Sequence, residues 1–253
     1  LKAVESYVKY KDENSYAPER PRGLSFLIKP FLFILLIWII FWADVRFMLN
    51  LFHFGILPRH IEGLPGIIAS PLIHGSLRHL SNNSIPILVL GAGLYYFYPR
   101  IANVVVLASW LISGMVVWII GRENFHIGAS GLIYSLAAFI FLSGILRKQP
   151  NLLALSLLVV FLYGGLVWGV FPLQESVSWE AHLAGGVSGL ALAIRYRSIG
   201  PARKTYSWDE DEVITEEDEQ HQTEKDPEPW QTYSESRHGI HYVYHQKKEA
   251  EDE

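Results

Sequence analysis

The chain has 253 residues, half of them hydrophobic, no cysteine, and a formal net charge of −4. The missing sulfhydryl excludes disulfides, thiol nucleophiles and thiolate–metal sites. The charge is unevenly held: residues 205–253 carry 16 acidic and 4 basic side chains, a balance of −12, and residues 1–204 carry 9 and 17, a balance of +8. With nearly all long apolar runs in the first part and a mean hydropathy of +0.20, one uniform soluble fold is excluded.

Residues 1–23 are polar, with Lys9, Lys11, Arg20 and Arg22 but no apolar stretch before them. They read as a short cytoplasmic segment and not as a secretory signal. The absence of an initial Met reads as a trimmed or fragmentary start. Apolar runs follow at 24–43, 80–98, 101–120, 129–146 and 152–171, the last four free of charge, and a shorter run at 179–194 carries Glu180 at its head. Each approaches the roughly 20 residues with which a helix crosses about 30 Å of hydrocarbon. In lipid a spanning segment must satisfy its own backbone, so the expectation is an all-α membrane protein with six transmembrane helices. Buried helices of a soluble core are the alternative, and so many charge-free runs in succession disfavour it.

With the N-terminus inside, the inner segments hold thirteen Lys and Arg and the outer ones only Arg46, Arg59, Arg78 and Arg122. That asymmetry puts both termini in the cytoplasm, and it leaves Trp42, Trp118, Trp168 and Trp179 at outer helix ends, where indoles favour the interface. The first outer connection, 44–78, is too apolar for a solvated loop and too broken by Pro and Gly for a further span, so an interfacial or re-entrant path is expected. The acidic segment 198–253 reads as a largely disordered cytoplasmic tail, with 240–244 able to pair as a strand.

Polar residues set into apolar spans are costly and need a reason. Three groups stand out: His74, His79 and Asn83; then Gly128-Ala129-Ser130-Gly131; then Glu180-Ala181-His182-Leu183-Ala184-Gly185. Spans two, four and six all run inward from the outer side, so Asn83, Ser130 and His182, each within about one turn of a span's head, share one depth. A serine hydroxyl becomes a nucleophile once a neutral imidazole removes its proton. The unpaired N–H groups of a helix start, with the Asn83 amide and His79 four residues before it, suit a developing oxyanion. Gly128, Gly131 and the Gly185-x-x-x-Gly189 series allow close helix approach, which brings His182 to Ser130. Each residue also has a plainer reading: the serine bonding its own helix, the histidines snorkelling, the glycines merely packing. His74 and His79, five apart, do not share a helical face as a metal pair would. No His-Glu-x-x-His motif is present, and Asp44 and Glu123 at outer span ends read as solvated.

These residues resemble the rhomboid intramembrane serine proteases. The matching pieces are His74-Gly-Ser-Leu-Arg-His79-Leu-Ser-Asn-Asn83, Gly128-Ala-Ser130-Gly131 and Ala181-His182-Leu-Ala-Gly185, in order and at the heads of spans two, four and six. The resemblance covers about 24–197 as a membrane protease domain. It implies Ser130 as nucleophile and His182 as general base and acid, without a carboxylate third member. It also implies an oxyanion hole from Asn83, the Ser130 N–H and His79, a ring of Tyr134 bracing His182, and a shaping role for His74 in the first outer loop. The implied reaction cleaves transmembrane segments of other proteins in the bilayer with no metal, nucleotide or nucleic acid, at a bacterial cell (inner) membrane. One departure stands in the first outer loop: well-known members carry a Trp-Arg pair there, and this chain reads Leu64-Pro65-Gly66. The opposing readings are a non-catalytic rhomboid-like protein that binds transmembrane clients, which need not keep Ser130, His182 and Asn83 together, and a small transporter, which would carry paired ionisable groups at mid-membrane. Substrate and oligomeric state have no signature in the sequence.

Overall fold

The computed structural model describes residues 23–162, 169–172 and 177–201. The chain divides into two units, Leu1–Lys204 and Thr205–Glu253, and all described residues belong to the first. The expectations for residues 1–22, for Trp168 and for the tail beyond 201, its strand included, lie outside the described residues.

Among the described residues every regular element is helical. The α-helices are α1 Ser25–Phe47, α2 Gly66–Ala69, α3 Leu77–Phe97, α4 Ala102–Ile120, α5 Ser130–Leu146, α6 Pro150–Leu162 and α7 Trp179–Arg195. The six predicted spans therefore correspond to α1 and α3–α7. By length and composition alone, α1 and α4 are long and apolar enough to cross a membrane. The other four are shorter or carry the polar groups of the site, so they are recognised by their place in the bundle.

The bundle is apolar outside as well as in. Only Pro30 and Ile37 of α1 are buried, while Phe31, Leu32, Leu35, Leu36, Ile39 and Trp42 point outward. On a soluble protein such a face is an aggregation site; against acyl chains it is matched to its solvent. The core lies around α5, which packs on α3, α4, α6 and, most extensively, α7. Leu132, Ile133, Leu136, Phe139 and Ile140 of α5 are all buried there, with Leu80, Ile87, Leu90 and Leu94 of α3. A line of buried hydroxyls joins three helices: Ser135 of α5 donates to Ser109 of α4 at 2.7 Å, and Ser188 of α7 lies 3.1 Å from Ser135 while donating to the Gly185 carbonyl at 2.8 Å. Such bonds hold helices together in lipid, where burial of apolar surface does not.

Boundaries differ from the sequence expectation in an informative place. The α3 helix begins at Leu77, three residues before the apolar run, because Ser76 caps it: its Oγ accepts the His79 N–H at 3.1 Å. Asn83 thus sits in the second turn of its helix, one turn deeper than expected, while Ser130 is the first residue of α5 and His182 the fourth of α7.

The first outer connection is a broken chain of single helical turns, 3-10 at Leu51–Phe54, Ile61–Gly63 and Ser70–Leu72 with α2 among them. Its Pro and Gly residues forbid a longer helix. It docks along α4 from its middle to its C-terminal end: Trp110 donates to the Ile67 and Ile68 carbonyls, Trp118 donates to the His60 carbonyl at 2.9 Å, and Arg59 donates to the Gly121 carbonyl at 2.6 Å. Ile56 and His126 exchange two backbone hydrogen bonds of 2.9 Å as an isolated antiparallel bridge. Asp44, expected to be merely solvated, accepts the Leu51 N–H at 3.1 Å and so fixes the turn out of α1.

Candidate active site

Gly128 is the hinge on which the site is arranged. Its φ of +102° lies in the region that favours glycine, and a Cβ there would fall on the His79 imidazole and within 3.6 Å of Asn83 Nδ2. The segment leading into Ser130 therefore lies against His79 and Asn83. Its position is fixed from the far side by the Gly128 N–H, which donates to the Ser70 carbonyl at 2.8 Å. Asn83 is buried, and its Nδ2 has no hydrogen-bond partner. A buried amide donor left without a partner costs on the order of 1–3 kcal/mol, which is recovered when an acceptor arrives. Next to it, α5 opens at Ser130 with no side-chain cap, since its N-cap residue is Ala129. The first N–H groups of the helix are thus open to an acceptor, and the positive end of the helix dipole points at the same place.

The second half of the site comes from α7. A Cβ at Gly131 would stand 3.2 Å from the Ala181 carbonyl, and a Cβ at Gly185 would overlap the Gly131 carbonyl and approach Tyr134. One turn on, Gly189 lies in the same way against the Ser135 carbonyl. The two backbones thus touch at Gly131–Ala181–Gly185, which flanks Ser130 on one helix and His182 on the other. The His182 ring lies flat on Tyr134, centroids 4.1 Å apart and planes 10° off parallel. Its Nδ1 is 2.8 Å from the Gly169 carbonyl, which can only accept, so Nδ1 carries the proton and Nε2 holds the free lone pair. Ring face and tautomer are both fixed, by α5 on one side and by the connection before α7 on the other.

His74 does not join this group directly. It lies before α3, is buried, and meets the cluster through His79, with ring centroids 5.0 Å apart. Burial, followed by the neighbouring His79 imidazole, lowers its pKa to about 4, with a weaker opposing pull from the Leu72 backbone. Neither ring nitrogen of His74 reaches full hydrogen-bond geometry with a partner. Among the described residues no three His, Cys, Asp or Glu side chains are grouped as metal ligands would be.

A second cluster lies just outside the first and has no motif in the sequence. Arg122, after α4, donates its backbone N–H to Glu180 Oε1 at 3.2 Å, pairs with the same carboxylate through Nε, and reaches the Val177 carbonyl with Nη2. His126 binds the Ser178 hydroxyl at 2.6 Å through Nδ1 and the Arg122 carbonyl at 3.0 Å through Nε2. Burial is the main cause of a lowered His126 pKa, ahead of the Arg122 carbonyl and Glu180, which raise it, and the Arg122 guanidinium, which lowers it. Ser178 in turn caps α7 by accepting the Ala181 N–H. Glu123, exposed, meets His60 at 3.2 Å.

The sequence matches the Rhomboid domain family over residues 62–199, more than half of the chain. It is 37% identical over 164 residues to uncharacterized proteins of Mycobacterium tuberculosis and Mycobacterium bovis, an alignment that takes in 59% of this chain and 65% of each relative. An uncharacterized protein of Mycobacterium leprae is 37% identical over 166 residues, 60% of this chain and 62% of its own. The chain thus spans less than two thirds of the length of the relatives it matches. The family consists of membrane proteins, most of them intramembrane serine proteases. Its matched region takes in all of α3–α7, and with that coverage the chain belongs to the rhomboid family.

Proposed function

We propose that the chain is an intramembrane serine endopeptidase that cleaves transmembrane segments of other membrane proteins, with Ser130 as nucleophile and His182 as general base and acid. The observation that carries this reading is the state of His182: stacked on Tyr134, its Nδ1 proton held by the Gly169 carbonyl, and its Nε2 left to take a proton. An imidazole serving only as packing has no need of a fixed tautomer and an open nitrogen.

In the reaction, Ser130 Oγ attacks the scissile carbonyl carbon as its proton passes to His182 Nε2. Negative charge gathers on the former carbonyl oxygen, where the Asn83 amide and the Ser130 N–H donate to it and His79 stands beside them. As the C–N bond breaks, His182 returns the proton to the leaving amine. Water then attacks the acyl-enzyme by the same route in reverse roles, which frees the acid and restores Ser130. A carboxylate is not required to orient the base, because the Gly169 carbonyl occupies that place. Tyr134, Gly128, Gly131 and Gly185 act through geometry, and His74 through its contact with His79. The membrane domain is taken as 24–197, between cytoplasmic segments 1–23 and 198–253, in the inner membrane with both termini inside.

The purified chain should react with a fluorophosphonate probe and cleave a model transmembrane substrate. Labelling that persists in Ser130→Ala, or cleavage that persists in His182→Ala, would overturn the assignment. A wild-type chain that binds transmembrane clients yet neither labels nor cleaves would make it a non-catalytic member.

A further inference from the structure

Among the described residues Glu180 is the only buried acidic side chain, and the reaction just described makes no use of it. Its side chain is 2% exposed, against 37% for its partner Arg122. Its Oε1 takes both the Arg122 N–H and the ion pair, while Oε2 has no partner. A carboxylate buried with half its acceptor capacity unmet is a poor source of stability, since desolvation offsets most of the attraction. What the pair does supply is a fixed distance.

That distance is between the two halves of the site. Arg122 opens the connection 121–129, which ends at Ser130. Glu180 is the second residue of α7, and His182 lies two residues further on. Three ties cross the gap: Arg122 to Glu180, Arg122 to the Val177 carbonyl, and His126 to Ser178, the N-cap of α7. The glycine contacts of α5 and α7 set how closely the helices approach. Beside the Gly131–Ala181 contact and the stacking of His182 on Tyr134, these polar ties limit how α7 slides or turns at its N-terminal end. Resting on the protease reading above, we infer that Glu180 and Arg122 are positioning residues, clamping the start of α7 to the connection that leads into Ser130 and so fixing His182 against the nucleophile.

The test uses the full chain in detergent, at a temperature where every variant is folded. Glu180→Gln keeps an acceptor for the Arg122 N–H and removes only the charge. It should lower kcat about tenfold and slow fluorophosphonate labelling by the same factor, with KM within about twofold, since a misplaced base harms chemistry and not docking. In the Glu180→Gln background, Arg122→Ala should cost less than it does in the wild type, because the ion pair is already broken and only the reach to the Val177 carbonyl is left to lose. Unchanged kcat and labelling in Glu180→Gln would overturn the inference. So would a rise in KM alone, or an Arg122→Ala loss as large in the Glu180→Gln background as in the wild type. If Glu180→Gln does not fold, Arg122→Lys, which keeps the charge and gives up the reach to Val177, carries the same measurement. A wild-type chain that neither labels nor cleaves would instead defeat the protease reading, and the inference would fall with it.

Discussion

At the scale of single residues, the site depends on rings and protons held in one state. Tyr134 supplies the face on which His182 lies. Tyr134→Phe keeps that face, whereas Tyr134→Ala leaves the imidazole free to turn. Initial cleavage rates should therefore fall about tenfold or more in Tyr134→Ala and several-fold less in Tyr134→Phe; equal losses would place the effect in the hydroxyl. His74 and His126 make a pH prediction. A histidine whose folded pKa lies below its ordinary value of about 6.5 binds fewer protons folded than unfolded between the two values. Stability then rises with pH through that interval and is lost as pH falls. For His74 the interval runs down to about 4, and His126 acts in the same direction. Melting temperature should decline from pH 6.5 toward 4.5, and the decline should be shallower in His74→Gln; an identical slope would remove His74 as a cause. At this scale the sequence was legible wherever the candidate site is built of side chains of distinctive type, as with Ser130, Asn83 and His182. The Gly169 carbonyl that orients His182 could not be read, because every residue has a carbonyl and only the fold selects one. Glu180 was visible as the head of a short run, but nothing local shows that Arg122, 58 positions earlier, meets it.

At the scale of elements, three neighbouring glycines of α7 make a controlled comparison. A methyl at Gly185 or Gly189 would overlap main-chain atoms of α5, while one at Gly186 meets nothing within 4 Å. Gly185→Ala and Gly189→Ala should each destabilise by roughly 1–3 kcal/mol, the usual range for overpacking, and both should depress cleavage because they push α7 away from α5. Gly186→Ala should leave melting temperature and rate near wild type. Equal behaviour of all three would refute the close-packing account. The spacing Gly185-x-x-x-Gly189 pointed to this face from the sequence, and the six apolar runs marked the helices that became α1 and α3–α7. The start of α3 lies before the apolar run because hydropathy does not register a cap: Ser76, itself extended, accepts the His79 N–H and so holds the polar first turn helical. The connection 44–78 was legible as an interfacial or re-entrant segment but not in its course, since that is set by contacts with α4 that lie about 50 residues away.

At the scale of the whole molecule, apolar surface is spent in two directions: α5 is buried on nearly every side, and α1 turns most of its side chains outward. That distribution suits a bundle whose solvent is hydrocarbon. The placing of basic residues then predicts orientation, with thirteen Lys and Arg on one side against four on the other. A reporter fused directly after Lys204 should be accessible from the cytoplasm. An external signal would invert the assignment of outer and inner ends, and with it the side of the membrane on which Ser130 opens.

The bridge between Ile56 and His126 has a consequence for how the first outer connection varies. Its two hydrogen bonds are made by main-chain atoms, so they are blind to the side chains borne at either position, proline excepted. Those two bonds survive substitution on either side, whereas the seat on α4 also needs the side chains of Arg59, Trp110 and Trp118. Divergence among relatives should accordingly concentrate in the outward-facing residues of this connection, such as Phe54, Ile61 and Ile68. The short backbone lengths at Gly55, Gly63 and Gly66, where a Cβ would strike neighbouring main chain, should stay glycine.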